Sequence, residues 1–223
     1  MKSASFLPRG RSEIASRIVN VAIAAIALIV LSPLLVLIAL AVRLTSRGPV
    51  FYIQQRVGVD RRRRDASAVF DRRQGDVGGR AFNIIKFRSM AVDAESGTGA
   101  VWAQRNDPRV TPVGGFLRKT RLDELPQLFN VIRGDMNIVG PRPERPSLFA
   151  QLRENIDAYP LRQRARPGIT GWAQINQAYD ASMDDVRSKV QYDIEYLARQ
   201  SLVEDIAIMA KTIPVMLFRR GGW

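Results

Sequence analysis

Residues 21–42 read VAIAAIALIVLSPLLVLIALAV, 22 consecutive residues without a charge, and this stretch decides how the N-terminal part of the chain folds. A helix rises about 1.5 Å per residue, so the stretch is long enough for a bilayer hydrocarbon core of about 30 Å. A cleaved signal peptide is the competing interpretation, but its apolar region is usually only about 7 to 15 residues long. The stretch therefore predicts a helix that inserts into a membrane.

A proline lies at the centre of this stretch. Pro33 cannot donate a backbone hydrogen bond, whereas Ser32 can donate one to a carbonyl that the proline leaves unpaired. Basic residues flank the stretch on both sides, and clusters of Lys and Arg tend to remain in the cytoplasm. We therefore expect residues 1–45 to form a re-entrant helix-break-helix hairpin with both ends in the cytoplasm. An ordinary tilted span with a tolerated proline is the alternative.

The composition restricts the chemistry that the chain can perform. It has 34 Lys and Arg against 21 Asp and Glu, a net charge of +13, and neither Cys nor His. Thiolate nucleophiles, imidazole bases and zinc sites built from His or Cys are excluded. Catalysis therefore depends on carboxylates, Lys, Arg, Tyr, hydroxyls or a metal bound by oxygen. The charge implies an acidic partner, which is nucleic acid, anionic lipid or a phosphorylated substrate.

Residues 46–223 have the pattern of one helix-rich, mixed α/β domain. Apolar runs at residues 50–55 and 81–87 predict strands. Helices are predicted over residues 120–132, after the N-cap Ser182, and over residues 202–218, where the helix is either interfacial or packed in the core. The proline-rich residues 140–146 are expected to form neither helix nor central strand.

Residues 60–80 form a loop by composition, with seven Arg between the two predicted strands. Basic residues near an anionic bilayer each contribute about 1 kcal/mol of binding free energy. The loop is therefore either a lipid headgroup contact or an ordinary solvated charged loop.

An acidic pair is the strongest candidate for chemistry. Asp123 and Glu124 lie among three basic residues in RKTRLDELPQL, residues 118–128, and nearby cations favour ionised carboxylates. An ionised Asp can attack phosphorus, and a neighbouring Glu can bind Mg²⁺, which prefers carboxylate and phosphate oxygens. The alternative is that both are acids at a helix start, each worth a few tenths of a kcal/mol.

Three further basic residues are suited to phosphate binding. Lys86 and Arg88 lie at the end of a predicted strand, and Arg142 lies between Pro141 and Pro143, which restrict its backbone. A preorganised guanidinium suits a bidentate phosphate contact. Each residue alone would more often be surface charge, but their occurrence with an acidic pair and a membrane segment favours phosphoryl chemistry on a lipid.

The chain resembles the bacterial sugar transferase family, the monotopic phosphoglycosyl transferases, from residue 16 to residue 213. The motifs that carry the resemblance are, in family order, LSPLL, PVFYIQQRVG, KFRSM, RKTRLDELPQLFNVIRGDMNIVGPRPE, RPGITGWAQIN and YDIEYL…DIAIMAKTI. The resemblance implies transfer of a phospho-sugar from a UDP-sugar to polyprenyl phosphate, usually undecaprenyl phosphate. The products would be a polyprenyl-diphosphate-sugar and UMP, in the first membrane step of polysaccharide or glycoconjugate biosynthesis.

The resemblance also implies a role for each candidate residue. Asp123 would attack the β-phosphate to give a covalent phospho-sugar intermediate, and Glu124 would bind Mg²⁺. The basic phosphate-binding positions of the family correspond to Arg118 and Arg142, and its nucleotide segment to Pro141-Arg142-Pro143. The family's KFR segment corresponds to Lys86 and Arg88, and the break in its re-entrant helix to Ser32 and Pro33.

The resemblance implies a catalytic domain, residues 46–223, on the cytoplasmic face of the bacterial inner membrane. Residues 60–80 depart from the family, in which a short turn usually occupies this position. We expect the chain to be the minimal catalytic form, without the membrane spans and extra domain that precede this module in larger relatives.

Two other classes of protein also fit the charge: a membrane-tethered nucleic-acid-binding module and a scaffold at the membrane surface. The sequence shows neither a basic recognition helix nor an aromatic stacking surface, so we expect no nucleic-acid partner. The expected partners are a UDP-sugar, polyprenyl phosphate and anionic membrane lipid. A homodimer is compatible with the sequence, which does not identify the sugar.

Overall fold

The structure is a computed structural model that describes residues 12–60, 78–94, 107–177 and 182–218. Its helices are α1 (Glu13–Thr45), α2 (Pro112–Thr120), α3 (Gln127–Arg133), α4 (Pro146–Asn155), α5 (Trp172–Asn176), α6 (Met183–Arg199) and α7 (Leu202–Phe218). Its strands are β1 (Phe51–Val57), β2 (Ala81–Phe87), β3 (Asn137–Val139) and β4 (Gly168–Thr170). Short 3₁₀ turns occupy Leu122–Glu124 and Tyr159–Arg164. The described chain is therefore the helix-rich α/β fold that the sequence predicts.

The strands form two separate two-stranded sheets. β1 and β2 are antiparallel, and Phe51 faces Phe87 at one end of the ladder with ring centroids 5.4 Å apart. β3 and β4 are parallel. Both strand predictions from the sequence are confirmed by β1 and β2, whereas most of the arginine-rich loop between them, residues 61–77, lies outside the described residues.

The long apolar stretch lies within α1, a continuous helix of 33 residues. Pro33 is inside this helix, and the predicted helix-break-helix is not confirmed. The residue at position 33 would normally donate to the carbonyl of Ile29, four residues earlier. Ser32 Oγ donates to that carbonyl instead, at 2.8 Å, so the carbonyl retains a partner. The Ser32 hydroxyl thus replaces the missing backbone donor, which explains how the helix continues through the proline.

One side of α1 packs along the rest of the fold. In its first half, Ala24 is fully buried in a cluster with Phe82 and Leu128. In its second half, Ile38 and Val42 are buried in a cluster with Phe87 and Leu117. α1 is therefore docked on β2, α2 and α3 along most of its length.

Polar contacts secure both ends of α1. Near its start, Arg17 donates to the carbonyls of Val131 and Ile132 in the last turn of α3, and Asn20 Oδ1 accepts from Ile138 N at 2.6 Å. A cation beside the last carbonyls of a helix also complements its dipole. Just after the helix, Arg88 Nη2 donates to Ser46 O at 2.7 Å.

The opposite side of α1 is an exposed apolar face. Its large residues are between 52% and 82% exposed, and they are Ile14, Ile18, Ile26, Ile29, Val30, Val36, Leu37, Leu40 and Leu44. The helix is long and apolar enough to cross a membrane. An apolar surface of this length is expected to contact lipid rather than water.

The prediction of one helix over residues 120–132 is wrong. α2 ends at Thr120, and Arg121 adopts a left-handed conformation with φ 60°. A 3₁₀ turn follows, and α3 begins only after Pro126. The apolar spacing is compatible with one helix, but the left-handed residue ends α2 and redirects the chain.

The predictions for the C-terminal helices are confirmed. Ser182 caps α6 in a capping box with Asp185, and α7 spans Leu202–Phe218. Ile208 is fully buried on one side of α7, while Val203 and Ile213 are exposed on another. α7 therefore packs against the core and also presents apolar residues outward.

Candidate functional site

The acidic pair lies in the 3₁₀ turn between α2 and α3. Arg121 turns the chain sharply at the end of α2, and the turn places Asp123 and Glu124 inside the protein, only 8% and 6% exposed. Two adjacent carboxylates removed from water need compensation by cations or hydrogen bonds.

Glu124 receives this compensation from three basic residues. Its Oε1 lies 2.8 Å from Lys86 Nζ and 2.7 Å from Arg142 Nη2. Arg142 Nη1 lies 3.4 Å from Oε2, and Arg121 Nη1 lies 3.8 Å from Oε1. The cluster therefore joins β2, the turn after α2 and the segment after β3 around one carboxylate.

The pKa values of the pair Glu124 and Lys86 reflect this burial. Desolvation alone would raise the pKa of Glu124, but Arg142 and Lys86 outweigh it and hold that pKa well below its usual range. Desolvation lowers the pKa of Lys86, and the Glu124 charge opposes that effect. Arg142 and Lys86 therefore keep Glu124 ionised, and the Glu124 charge in turn favours the protonated form of Lys86.

Asp123 differs from its neighbour in its contacts. Within the described parts of the chain, its carboxylate makes no hydrogen bond or ion pair. Burial raises the pKa of Asp123, as does the Glu124 charge, while Lys86 and Arg142 lower it. The structure thus pairs a tightly held carboxylate with an adjacent one that is available to a ligand.

The backbone that presents Arg142 is held at every residue from 141 to 144. The four carbonyls accept from Gly168 N at 3.0 Å, Arg162 Nη2 at 3.0 Å, Arg56 Nη1 at 3.2 Å and Val57 N at 2.8 Å, in that order. Neither Pro141 nor Pro143 can donate to a ligand through its backbone. These two buried prolines therefore act here by restricting the backbone of Arg142.

Arg162 is an almost fully buried donor, at 1% exposure. Its Nε donates to Asp193 Oδ2 at 2.6 Å and its Nη1 to Tyr159 Oη at 2.8 Å. The third contact, to the Arg142 carbonyl, connects α6 to the site through one guanidinium. Sequence reasoning missed Arg162 because no local spacing distinguishes it from the other arginines.

The structure shows interactions of Arg88 and Arg118 outside the acidic pair. Arg88 is 5% exposed, and its guanidinium binds the Ser46 and Arg47 carbonyls and Ser46 Oγ, all just after α1. Arg118 lies in the last turn of α2, and its charge contributes, after the Arg109 hydrogen bonds, to lowering the pKa of Asp107 to about 2. Ser32 and Pro33 are exposed on α1. The structure therefore groups Asp123, Glu124, Lys86 and Arg142.

Gln174 is a member of the site that sequence reasoning did not single out. Its Oε1 accepts from Arg142 Nη1 at 3.0 Å. The signal that could have identified it is a polar amide within the motif RPGITGWAQIN, close after a Pro-Gly pair.

The acidic pair is chemically suited to Mg²⁺. This ion is usually held by one or two carboxylates, with water and substrate phosphates as its other ligands. Glu124 Oε1 contacts Lys86 and Arg142, whereas Oε2 has only the 3.4 Å contact with Arg142. Asp123 is the next residue in the same turn. The described residues contain no group of three or more acidic side chains that could form an all-protein metal site. A divalent ion bound here would therefore need ligand oxygens as well.

Comparison with known proteins identifies one family and several close relatives. The bacterial sugar transferase family matches residues 11–219. A UDP-N-acetylgalactosamine-undecaprenyl-phosphate N-acetylgalactosaminephosphotransferase from Aeromonas hydrophila is 41% identical over 96% of this chain. UDP-glucose:undecaprenyl-phosphate glucose-1-phosphate transferases from Escherichia coli K12 and Caulobacter vibrioides are 40% and 38% identical over 92% and 95% of it.

The relatives differ in length from this chain. The match spans 46% of the Aeromonas protein and 40% of the Escherichia coli protein, but 73% of the Caulobacter protein. The acidic pair, the four residues grouped in the site and the frame around Arg142 all lie inside the matched region.

Replacing Lys86 by Met should raise the pKa of Asp123 further, because Lys86 is the cation that most opposes the effect of burial. At a given acidic pH, a smaller fraction of Asp123 would then be ionised. A pH titration of aspartate carboxyl carbons in ¹³C-labelled protein would measure the change, with Asp123→Asn identifying the resonance. Lys119→Met, which removes an exposed charge from α2, is the matched control. An unchanged Asp123 titration in Lys86→Met would contradict this electrostatic coupling.

Proposed function

The chain belongs to the bacterial sugar transferase family, which confirms the resemblance seen in its motifs, and we propose that it transfers a phospho-sugar from a UDP-sugar to polyprenyl phosphate. The relatives named as UDP-sugar:undecaprenyl-phosphate transferases support the substrate class. The observation that carries the proposal is the buried pair in which Glu124 is held by Lys86 and Arg142 while Asp123 has no such partner.

The proposed reaction proceeds in two displacements at one phosphorus atom. An Asp123 carboxylate oxygen attacks the β-phosphorus of the UDP-sugar, and the bond from that phosphorus to the bridging oxygen breaks, so UMP leaves. A phosphate oxygen of the polyprenyl phosphate then attacks the same phosphorus and displaces the Asp123 carboxylate. The products are UMP and polyprenyl-diphosphate-sugar, and the enzyme is regenerated. The first displacement requires Asp123 in its ionised form.

The basic residues of the site suit the charge of this substrate. Lys86, Arg142 and Arg121 carry three positive charges against two on ionised Asp123 and Glu124, so the site can also offset negative charge on a diphosphate. The four carbonyl contacts at residues 141–144 hold the Arg142 backbone before the substrate arrives. Such preorganisation reduces the reorganisation that accompanies binding.

We further propose that Mg²⁺ binds with Glu124 Oε2 as its protein ligand. When bound, the ion would neutralise diphosphate charge. The support is the oxygen donor chemistry of the pair and the single long contact to Oε2.

The membrane arrangement proposed is a re-entrant α1 with the catalytic domain on the cytoplasmic face of the inner membrane. The first half of α1 and the residue after the helix are hydrogen-bonded to one body through Arg17, Asn20 and Arg88. The second half packs on the same body through Ile38 and Val42. A helix that crossed a bilayer would separate those attachments by about 30 Å of hydrocarbon. The exposed apolar face of α1 would enter one leaflet, and the flanking basic residues would face anionic lipid headgroups. Residues 1–45 would then form the membrane part and residues 46–223 the catalytic domain.

Asp123→Asn should reduce UMP release by about a thousandfold or more, because the variant lacks the attacking carboxylate. The measurement uses membranes supplied with undecaprenyl phosphate and a panel of UDP-sugars, which also identifies the preferred sugar. Wild-type protein given sugar-phosphate-labelled donor should retain the label covalently, and the variant should not. Asp135→Asn is the control, since this acid follows α3 outside the site. Full activity of Asp123→Asn would refute the covalent mechanism, whereas no UMP release by the wild-type protein with any UDP-sugar would leave a scaffold role.

Glu124→Gln should raise the Mg²⁺ concentration that gives half-maximal activity by about tenfold or more, because one charged ligand is lost. Chelation should abolish UMP release by the wild-type protein, and added Mg²⁺ should restore it. Glu154→Gln, on the exposed side of α4, provides the control. An unchanged Mg²⁺ dependence in Glu124→Gln would reject Glu124 as the ligand.

Single cysteines can test the membrane arrangement because the chain contains no native Cys. Ala4→Cys lies before α1 and Ser147→Cys lies on α4, after it. Both should react with a membrane-impermeant maleimide only when the cytoplasmic face is accessible, and the parent chain should not react. Labelling of the two positions from opposite faces would establish a crossing helix.

A further inference from the structure

Gln174 lies where two adjacent parallel strands end. β3 ends at Val139, three residues before Arg142, and β4 ends at Thr170, four residues before Gln174. Val139 and Thr170 are paired in the ladder. In open α/β sheets, ligands bind outside the carboxyl ends of the strands. Arg142 and Gln174 therefore extend from the end of this sheet where a ligand is expected.

Glycines allow the two segments after these strands to touch. A Cβ at position 171 would lie 2.2 Å from the carbonyl oxygen of Gly140, and one at position 168 would lie 2.1 Å from the Gly140 nitrogen. Both distances are far shorter than a carbon atom permits, so a larger residue would push the segments apart. The glycines thus keep Gln174 within reach of Arg142.

The Gln174 amide is held in one orientation. Its Oε1 accepts from Arg142 Nη1 at 3.0 Å, and an arginine offers only donors. The same Arg142 nitrogen lies 3.4 Å from Glu124 Oε2, so one nitrogen of Arg142 contacts both Gln174 and the acidic pair. The amide nitrogen must then point away from Arg142.

Gln174 Nε2 is buried and has no hydrogen-bond partner within the described chain. Buried donors are normally paired, and an unsatisfied one costs about 1–3 kcal/mol. The amide therefore holds Arg142 with its oxygen, while its nitrogen lacks an acceptor among the described residues. The acceptors brought to this position by the proposed function are the oxygens of a diphosphate.

We infer that Gln174 is a substrate-binding residue whose Nε2 donates to a diphosphate oxygen of the nucleotide-sugar at Arg142. The inference rests on the proposed function for the identity of the ligand. It gives Gln174 two roles that a variant can separate, since the oxygen acts through Arg142 and the nitrogen acts on the ligand directly.

Binding of UDP, measured by calorimetry, tests this inference without requiring turnover. Gln174→Met has similar volume and lacks both polar atoms, and it should raise the dissociation constant for UDP by about tenfold or more, as expected for a lost hydrogen bond to a charged acceptor. Gln191→Met, the same change at an exposed position on α6, should leave it unchanged. An unchanged dissociation constant in Gln174→Met would overturn the inference.

A second comparison separates the two roles of Gln174. Adding Gln174→Met to an Arg142→Met background should weaken UDP binding further, because the direct hydrogen bond is lost in addition. No further weakening would show that Gln174 acts only by holding Arg142. Equal losses for UDP and for a UDP-sugar support a diphosphate contact, whereas a loss confined to the UDP-sugar would overturn it. If the wild-type protein binds UDP but releases no UMP from any UDP-sugar, the proposed function fails while the Gln174 contact remains measurable.

Discussion

The burial of the Glu124 carboxylate is the constraint on which the rest of the site depends. A carboxylate removed from water is unstable unless cations approach it closely, and Lys86 and Arg142 do so at 2.8 and 2.7 Å. These residues come from β2 and from the segment after β3, so their ion pairs bring two separate sheets to one turn. The frame around Arg142 follows from the same need, because each carbonyl from residue 141 to residue 144 is held by a donor from a neighbouring element.

The attachment of α1 connects this site to the proposed membrane surface. The helix is apolar around its whole circumference, but only one side packs on the protein, through residues such as Ala24 and Val42. Buried Ser16 and Asn20 are exceptions to its apolar character, and the Asn20 side chain accepts from the Ile138 backbone of β3. The same strand leads directly to Arg142. The proposed phosphate-binding segment and the lipid-facing helix are therefore parts of one packed unit, which suits a reaction between a soluble nucleotide-sugar and a lipid.

Local patterns in the sequence predicted elements well where one interaction dominates. Apolar runs identified β1 and β2, and the capping sequence at Ser182 identified the start of α6. The helix over residues 120–132 was wrong because apolar spacing does not reveal that Arg121 adopts a left-handed conformation. The break at Pro33 was not confirmed because Ser32 replaces the missing hydrogen bond to Ile29. In both cases, one backbone contact outweighed the pattern.

The sequence by itself determined which chemical groups this protein has: an apolar stretch long enough to cross a membrane, no His or Cys, and an acidic pair among basic residues. Only the tertiary structure decided which cations belong to the pair. Lys86 and Arg88 are two residues apart on the same stretch, yet Lys86 contacts Glu124 while Arg88 binds carbonyls after α1. Arg142 contacts Gln174 and Arg162, which lie 32 and 20 residues after it in the sequence. Such assignments follow from long-range packing around buried charge, which local spacing does not encode.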